Sequence, residues 1–160
     1  MPKSSRRLWG VLILAISSSA LADLPVVIID AASLPYTLSP NNYANSPSKF
    51  SNSISNFSNS ASNFKNSPSN FANSPNNFKN TRSGSNRLLQ VGRYVGYYAE
   101  NGAGVINFFS ASGKRALYNP EGTSAVFTSA GSFAGVLGMD GSRGMSLALT
   151  PDGLKSFLLK

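Results

Sequence analysis

The sequence predicts a mainly β protein in two parts: a short heptapeptide-repeat array followed by a small antiparallel β-meander. Three observations carry that expectation. An aromatic residue recurs every seventh position from Tyr36 to Phe78, the Asn/Ser bias stops after Gly84, and Gly-containing turn pairs then punctuate apolar runs to the end.

The first segment, residues 1–22, reads as an export signal. Lys3, Arg6 and Arg7 precede an apolar stretch from Leu8 to Ile16, and Ala20-Leu21-Ala22 supplies a small-residue cleavage site. Cleavage after Ala22 would deliver the chain to the periplasm or the extracellular space. The apolar stretch is shorter than the roughly 20 residues a membrane span needs, so no spanning segment is expected. Without cysteine the chain has neither a lipoprotein anchor nor disulfides. Losing Lys3, Arg6 and Arg7 would lower the formal net charge of +8 by three. The remaining positive balance favours anionic partners or serves solubility. Residues 23–35 form a lead-in.

Residues 36–84 hold the array. Its aromatics are Tyr36, Tyr43, Phe50, Phe57, Phe64, Phe71 and Phe78, and Asn follows two positions after each of the last six. Ser or Thr comes three positions after each aromatic, and Pro recurs one position later at Pro40, Pro47, Pro68 and Pro75. A coiled coil is excluded, since it needs two apolar positions per heptad and good helix formers. Three readings stand. In the first, each unit is an extended stretch plus an Asn-Ser-Pro corner. One extended unit of about 23 Å cannot close a coil, so two or three per coil would, with the aromatics stacked inward as in a β-solenoid. In the second, low aliphatic content leaves the tract disordered. In the third, it is an assembly-prone β polymer.

The tandem [F/Y]-x-N-S-P-[S/N]-N pattern over Tyr36–Gly84 resembles a group of bacterial secreted proteins with Asn-Ser-Pro-rich heptapeptide repeats, whose function is unknown. The resemblance implies an exported repeat protein and transfers no catalytic or binding residue. More loosely, the Asn-Phe pair is similar to that of pentapeptide-repeat solenoids, from which the seven-residue period departs.

Residues 85–160 form the expected meander module. Asn101-Gly102, Ser112-Gly113, Ala130-Gly131 and Asp152-Gly153 mark turns. Between them, strands are expected near Arg93–Tyr98, Gly104–Phe109, Lys114–Tyr118, Ser124–Phe127, Phe133–Leu137, Met145–Leu149 and Leu154–Leu159. Short connections make neighbouring strands antiparallel.

The chemistry is bounded mainly by exclusion. With no His and no Cys, the chain lacks His-based triads, thiol nucleophiles and the usual zinc and haem ligands; no cofactor, metal or catalytic residue is assigned. Glu100, Asp140 and Asp152 read as turn residues rather than acid/base pairs, and a hydrolase would need a cleft gathering at least two of Glu100, Glu121, Asp140 and Asp152. Arg93, Tyr94, Tyr97 and Tyr98, with Lys114 and Arg115 two strands away, form a candidate binding surface of aromatics interleaved with cations; cross-strand packing is the other use for such rings. Lys49, Lys65 and Lys79 are too widely spaced to define a nucleic-acid face. The functional expectation is an exported, non-enzymatic structural or interaction protein. Its array would be a spacer or binding surface for cell-surface or cell-wall glycan or another protein, and its β-module a docking unit. Two alternatives are a self-assembling matrix or amyloid-like subunit, and a small hydrolase using carboxylates or Ser/Lys.

Overall fold

The computed structural model describes residues 23–139 and 145–158; the expected signal segment and Asp140 lie outside them. The described chain forms a closed eight-stranded mixed barrel in which each strand lies beside its neighbour in sequence. The strands are β1 (Leu24–Ile28), β2 (Arg87–Gln90), β3 (Arg93–Glu100), β4 (Ile106–Ser110), β5 (Arg115–Asn119), β6 (Ala125–Thr128), β7 (Phe133–Met139) and β8 (Met145–Leu149). A helix, α1 (Pro151–Leu158), follows.

β2 to β8 pair antiparallel in succession, and β1 closes the barrel by pairing parallel with both β2 and β8. Parallel closure requires a long connection between β1 and β2, because a tight turn can only reverse the chain. The Asn/Ser-rich tract is that connection. The expected arrangement, an array followed by a separate meander, is therefore corrected to a single domain: the lead-in supplies a barrel strand, and the tract joins that strand to the next.

Period-two alternation sends Leu24, Val26, Leu88, Tyr98, Phe108, Leu117, Val126, Leu137, Leu147 and Leu149 into one core with Leu154 and Phe157 of α1. The helix replaces the strand expected at Leu154–Leu159. Thr150 is its cap: the hydroxyl accepts from Gly153 N at 3.0 Å and the carbonyl from Leu154 N at 2.9 Å. Pro151 and Asp152 then occupy the first turn, where a missing N–H and a negative charge are both favourable. Gly96 makes room for the helix, since a Cβ there would lie 2.7 Å from the Phe157 ring.

β4 and β5 are buried on both faces. Their inner residues meet the barrel core, and their outer residues meet the tract, which runs around the outside as a belt. Leu38 packs with Val136 and Ala148 of β7 and β8. Contacts then pass in order to the β5–β6 turn, β5, β4 and β3: Thr123 to Asn45, Tyr118 to Asn52, Arg115 to Asn59, Asn107 to Asn66, Tyr97 to Asn73 and Tyr94 to Asn80. Pro75 sits on Gly113, a left-handed residue (φ 90°) where a Cβ would lie 2.8 Å from the proline ring.

The belt is built from consecutive turns, not extended stretches, so the solenoid with two or three units per coil is overturned. From Phe64 to Asn70, for instance, Asn66 N donates to Asn63 O, Ser67 N to Phe64 O and Asn70 N to Ser67 O, at 2.9, 3.0 and 3.1 Å. Short 3-10 turns begin at Tyr43, Phe50, Phe64, Phe71 and Phe78. Side chains complete them. Ser67 Oγ accepts from Ser69 N, and Asn70 Oδ1 from Ala72 N. Pro68 occupies the turn position that needs its fixed φ and no N–H. This dense bonding also answers the disordered reading, because local polar contacts replace the missing aliphatic burial.

Direct contact between successive units comes from the Asn two places after each ring. Asn66 Nδ2 donates to Ser58 O at 2.8 Å and Ser60 O at 2.9 Å. The same bonds, eight and six residues back, recur at Asn45, Asn52, Asn59, Asn73 and Asn80. Asn66 Oδ1 accepts from Asn101 and Asn107 Nδ2, each at 2.8 Å, filling both acceptor sites. The inward residue is thus Asn, not the aromatic.

Replacing Asn66 by Ala removes its bonds to Ser58 O, Ser60 O, Asn101 Nδ2 and Asn107 Nδ2, and is expected to cost about 2–4 kcal/mol. Asn66→Asp is expected to cost more, because a buried carboxylate would face two carbonyl oxygens. Phe64→Ser, at a solvent-facing ring, should stay within about 0.5 kcal/mol of the parent. Denaturant midpoints of the three variants check this, and equal losses at 64 and 66 would contradict it.

Candidate functional site

The seven belt aromatics point to solvent. Tyr36, Tyr43, Phe50, Phe57, Phe64, Phe71 and Phe78 are between 62 and 70% exposed, which corrects their expected inward stacking. Because Asn fills the inner position and each unit repeats the same bonds, equivalent rings emerge on the same side of successive units. The residue before each 3-10 turn repeats ψ between 119 and 125° from Asn42 to Asn77. Beside the rings, Ser48, Ser55, Ser62, Ser69 and Asn76 are exposed as well. The outer edge therefore carries a row of exposed rings together with exposed Ser and Asn, and with Ala44, Lys65, Ala72 and Lys79 directly after four of the rings. Ile54, also in the belt, lies against Gly131 of the β6–β7 turn.

The cation–aromatic cluster expected on the meander divides between the core, the seam beneath the belt and the surface. Tyr98 faces the barrel core. Tyr97 is buried at the seam, stacked on Phe109 with ring centroids 5.0 Å apart, and donates its hydroxyl to Asn73 O at 2.6 Å. Arg115 is 9% exposed. Its Nη2 donates to Asn59 O and its Nε to Asn107 Oδ1, each at 2.7 Å, and it lies 4.9 Å over the Tyr118 ring. Lys114 is exposed at the β4–β5 turn. Only Arg93 and half-buried Tyr94 join a surface recess, where they meet residues outside the expected cluster.

That recess, of about 380 Å³, is lined by Arg82, Arg87, Leu89, Gly92, Arg93 and Tyr94. It lies where the belt ends and β2 and β3 begin. Arg87 is held by Asp23, with Nε donating to Oδ1 at 2.8 Å and Nη2 to Oδ2. That hydrogen bond keeps the Asp23 carboxyl below its ordinary range. Tyr94 donates to Asn80 O at 2.7 Å. Burial raises its pKa, against the opposing pull of the Arg82 charge. Arg82 and Arg93 are exposed and, among the described residues, in no salt bridge. The signal for this site was in the sequence: three arginines within twelve residues, across the change in composition at Gly84.

Among the carboxylates, Glu100 ends β3, Glu121 lies in the β5–β6 turn and Asp152 opens α1. No group of three potential metal-ligating side chains converges among the described residues, and no described helix is long and apolar enough to cross a membrane. Comparison with protein-family models, curated proteins and solved structures finds no match. The resemblance to heptapeptide-repeat secreted proteins is therefore withdrawn: no family model matches, and the tract is part of one barrel domain rather than a tandem-repeat architecture.

The seam has a consequence at high pH. Burial pushes Tyr98 and Tyr118 up to about 12 and raises Tyr97 as well, whereas tyrosines in an unfolded chain ionise near 10. Between pH 10 and 12 the unfolded state binds fewer protons than the folded one, so stability falls as pH rises. Arg115, lowered to about 10 by burial, acts in the opposite direction, one group against these three tyrosines and Tyr94. Thermal midpoints from pH 8 to 12 should show a fall beginning near 10. Tyr118→Phe should make that fall shallower while costing about 0.5–1.5 kcal/mol at neutral pH for the bond to Asn52 O. A flat profile in the parent would contradict the assignment.

Proposed function

We propose that this chain is an exported, non-enzymatic interaction protein whose barrel presents the belt's outer edge to a linear glycan of the cell surface or cell wall. The observation that carries the reading is the row of seven exposed rings, each backed by a hydrogen-bonded turn. Exposed rings of this regularity have no role in the core they sit on, and a regular row of them offers a polymer one stacking face per unit.

The chemistry favours a sugar chain over a lipid or a protein face. A pyranose offers a C–H face that lies on an aromatic ring, and hydroxyls that bond the polar groups beside it. Here the exposed rings share the belt's outer edge with exposed Ser, Asn and Lys, which can bond sugar hydroxyls. Each ring contributes little alone, and a polymer engaging several gains from multivalency. Rigid turns reduce the ordering cost of binding. Export is supported by the charged, apolar and small-residue succession of residues 1–22. Among the described residues the closed barrel leaves no open sheet edge to template strand addition, which weighs against an amyloid-like subunit.

Cosedimentation with purified peptidoglycan sacculi tests this reading. The parent should pellet with the sacculi. A Phe57→Ser/Phe64→Ser/Phe71→Ser triple variant should lose about 100-fold in affinity, at roughly 1 kcal/mol per ring, with its thermal midpoint unchanged. No parent binding, or undiminished binding by the variant, would overturn it. So would concentration-dependent oligomers in sedimentation that the triple variant abolishes, since the row would then pair with a second copy.

A further inference from the structure

We propose that the recess between the belt's end and the β2–β3 hairpin is a site for a phosphate-class oxyanion, separate from the ring row and independent of the glycan reading. Three arginines line it, Arg82 on the belt, Arg87 on β2 and Arg93 on β3. Asp23 neutralises only Arg87, and in doing so orients it: both carboxylate oxygens are used, and Arg87 Nη1 donates to Arg82 O at 3.2 Å. Among the described residues no acceptor takes the guanidinium donors of Arg82 or Arg93, which are therefore open to a ligand. The planar, multi-donor guanidinium matches tetrahedral oxyanions better than an ammonium does. The recess holds more than a single ion, which suits a phosphoryl group with a substituent.

The hairpin beside it is unusual. Val91 is left-handed (φ 50°) and 94% exposed, followed by Gly92 at φ 74°. This turn type calls for positive φ at both positions, which Asn-Gly satisfies and a β-branched residue resists. An apolar tip is thus held in solvent at the rim of a cationic recess. The phosphoryl group could come from a soluble compound or from a lipid headgroup, and the tip bears on the second source only.

Calorimetry with inorganic pyrophosphate and flotation with phosphatidylglycerol-containing vesicles, both at 150 mM salt, separate the sources. Arg82→Ala/Arg93→Ala should weaken whichever interaction exists at least tenfold, with an unchanged thermal midpoint, since both side chains are exposed. Lys65→Ala/Lys114→Ala, with the same loss of charge elsewhere, should weaken it less than twofold. Pyrophosphate binding with that pattern supports the site with a soluble ligand. Vesicle binding with that pattern, reduced also by Val91→Asn, supports it with a headgroup ligand. Binding of neither probe overturns the proposal, as does binding that the arginine variant leaves intact or the lysine variant reduces equally.

Discussion

The belt depends on one side-chain amide used in two directions. An asparagine carboxamide has two donors and an acceptor with two lone pairs. In the belt, the donors go back along the chain to two carbonyls of the preceding unit. The acceptor turns towards the barrel, as at Asn45 with Thr123 and at Asn66 with Asn101 and Asn107. The backbone carbonyls of Asn52, Asn59, Asn73 and Asn80 take the remaining barrel donors: three tyrosine hydroxyls and one guanidinium. Serine has too few donors for this, aspartate has none, and glutamine would place them one methylene further out.

The amide brace and the barrel depend on each other. β1 can lie parallel to both neighbours only because the belt carries the chain around the outside. The belt, poor in aliphatic side chains, stays folded because the barrel's outer face supplies donors and aromatic surface. Tyr97 with Phe109, and Tyr118 with Phe127, provide that surface at the seam, with ring centroids 5.0 and 5.6 Å apart. Burying polar groups between two layers is costly unless nearly all are paired. Regular seven-residue spacing pairs most of them, giving each unit equivalent bonds along the belt, with Pro and Ser shaping the turns between; at the seam Arg115 Nη1 is left without a partner among the described residues.

What the sequence made legible was local. The Gly-bounded apolar runs from Arg93 to Leu149 are strands, because alternation and turn chemistry act over a few residues. The period of seven was visible, but its geometry was misread, since an aromatic is ordinarily the residue that seeks burial. The nearly continuous apolar run Val105–Phe109 held an unused clue: a strand apolar on both faces must be covered on both. β1 and the closure of the barrel were not legible, because pairing between residues 24–28, 87–90 and 145–149 is set by tertiary contacts alone. The helix was legible in principle, as Thr150-Pro151-Asp152 is a cap, a first-turn proline and a first-turn acid. Gly153 made the same letters read as a hairpin. Of the residues expected to form a binding surface, Arg93 and Tyr94 line the recess. Tyr97, Tyr98 and Arg115 were displaced because a strand's alternation does not say what covers its outer face.

Hydrogen exchange on the whole protein tests the central claim, that belt and barrel form one cooperative unit braced by asparagine amides. The backbone amides of Asn59, Asn66 and Asn73 should exchange only with global unfolding, with protection matching that of Phe108 and Leu117 in the barrel. Belt amides exchanging several orders of magnitude faster, while β4 and β5 stay protected, would show a loosely attached tract and contradict the account.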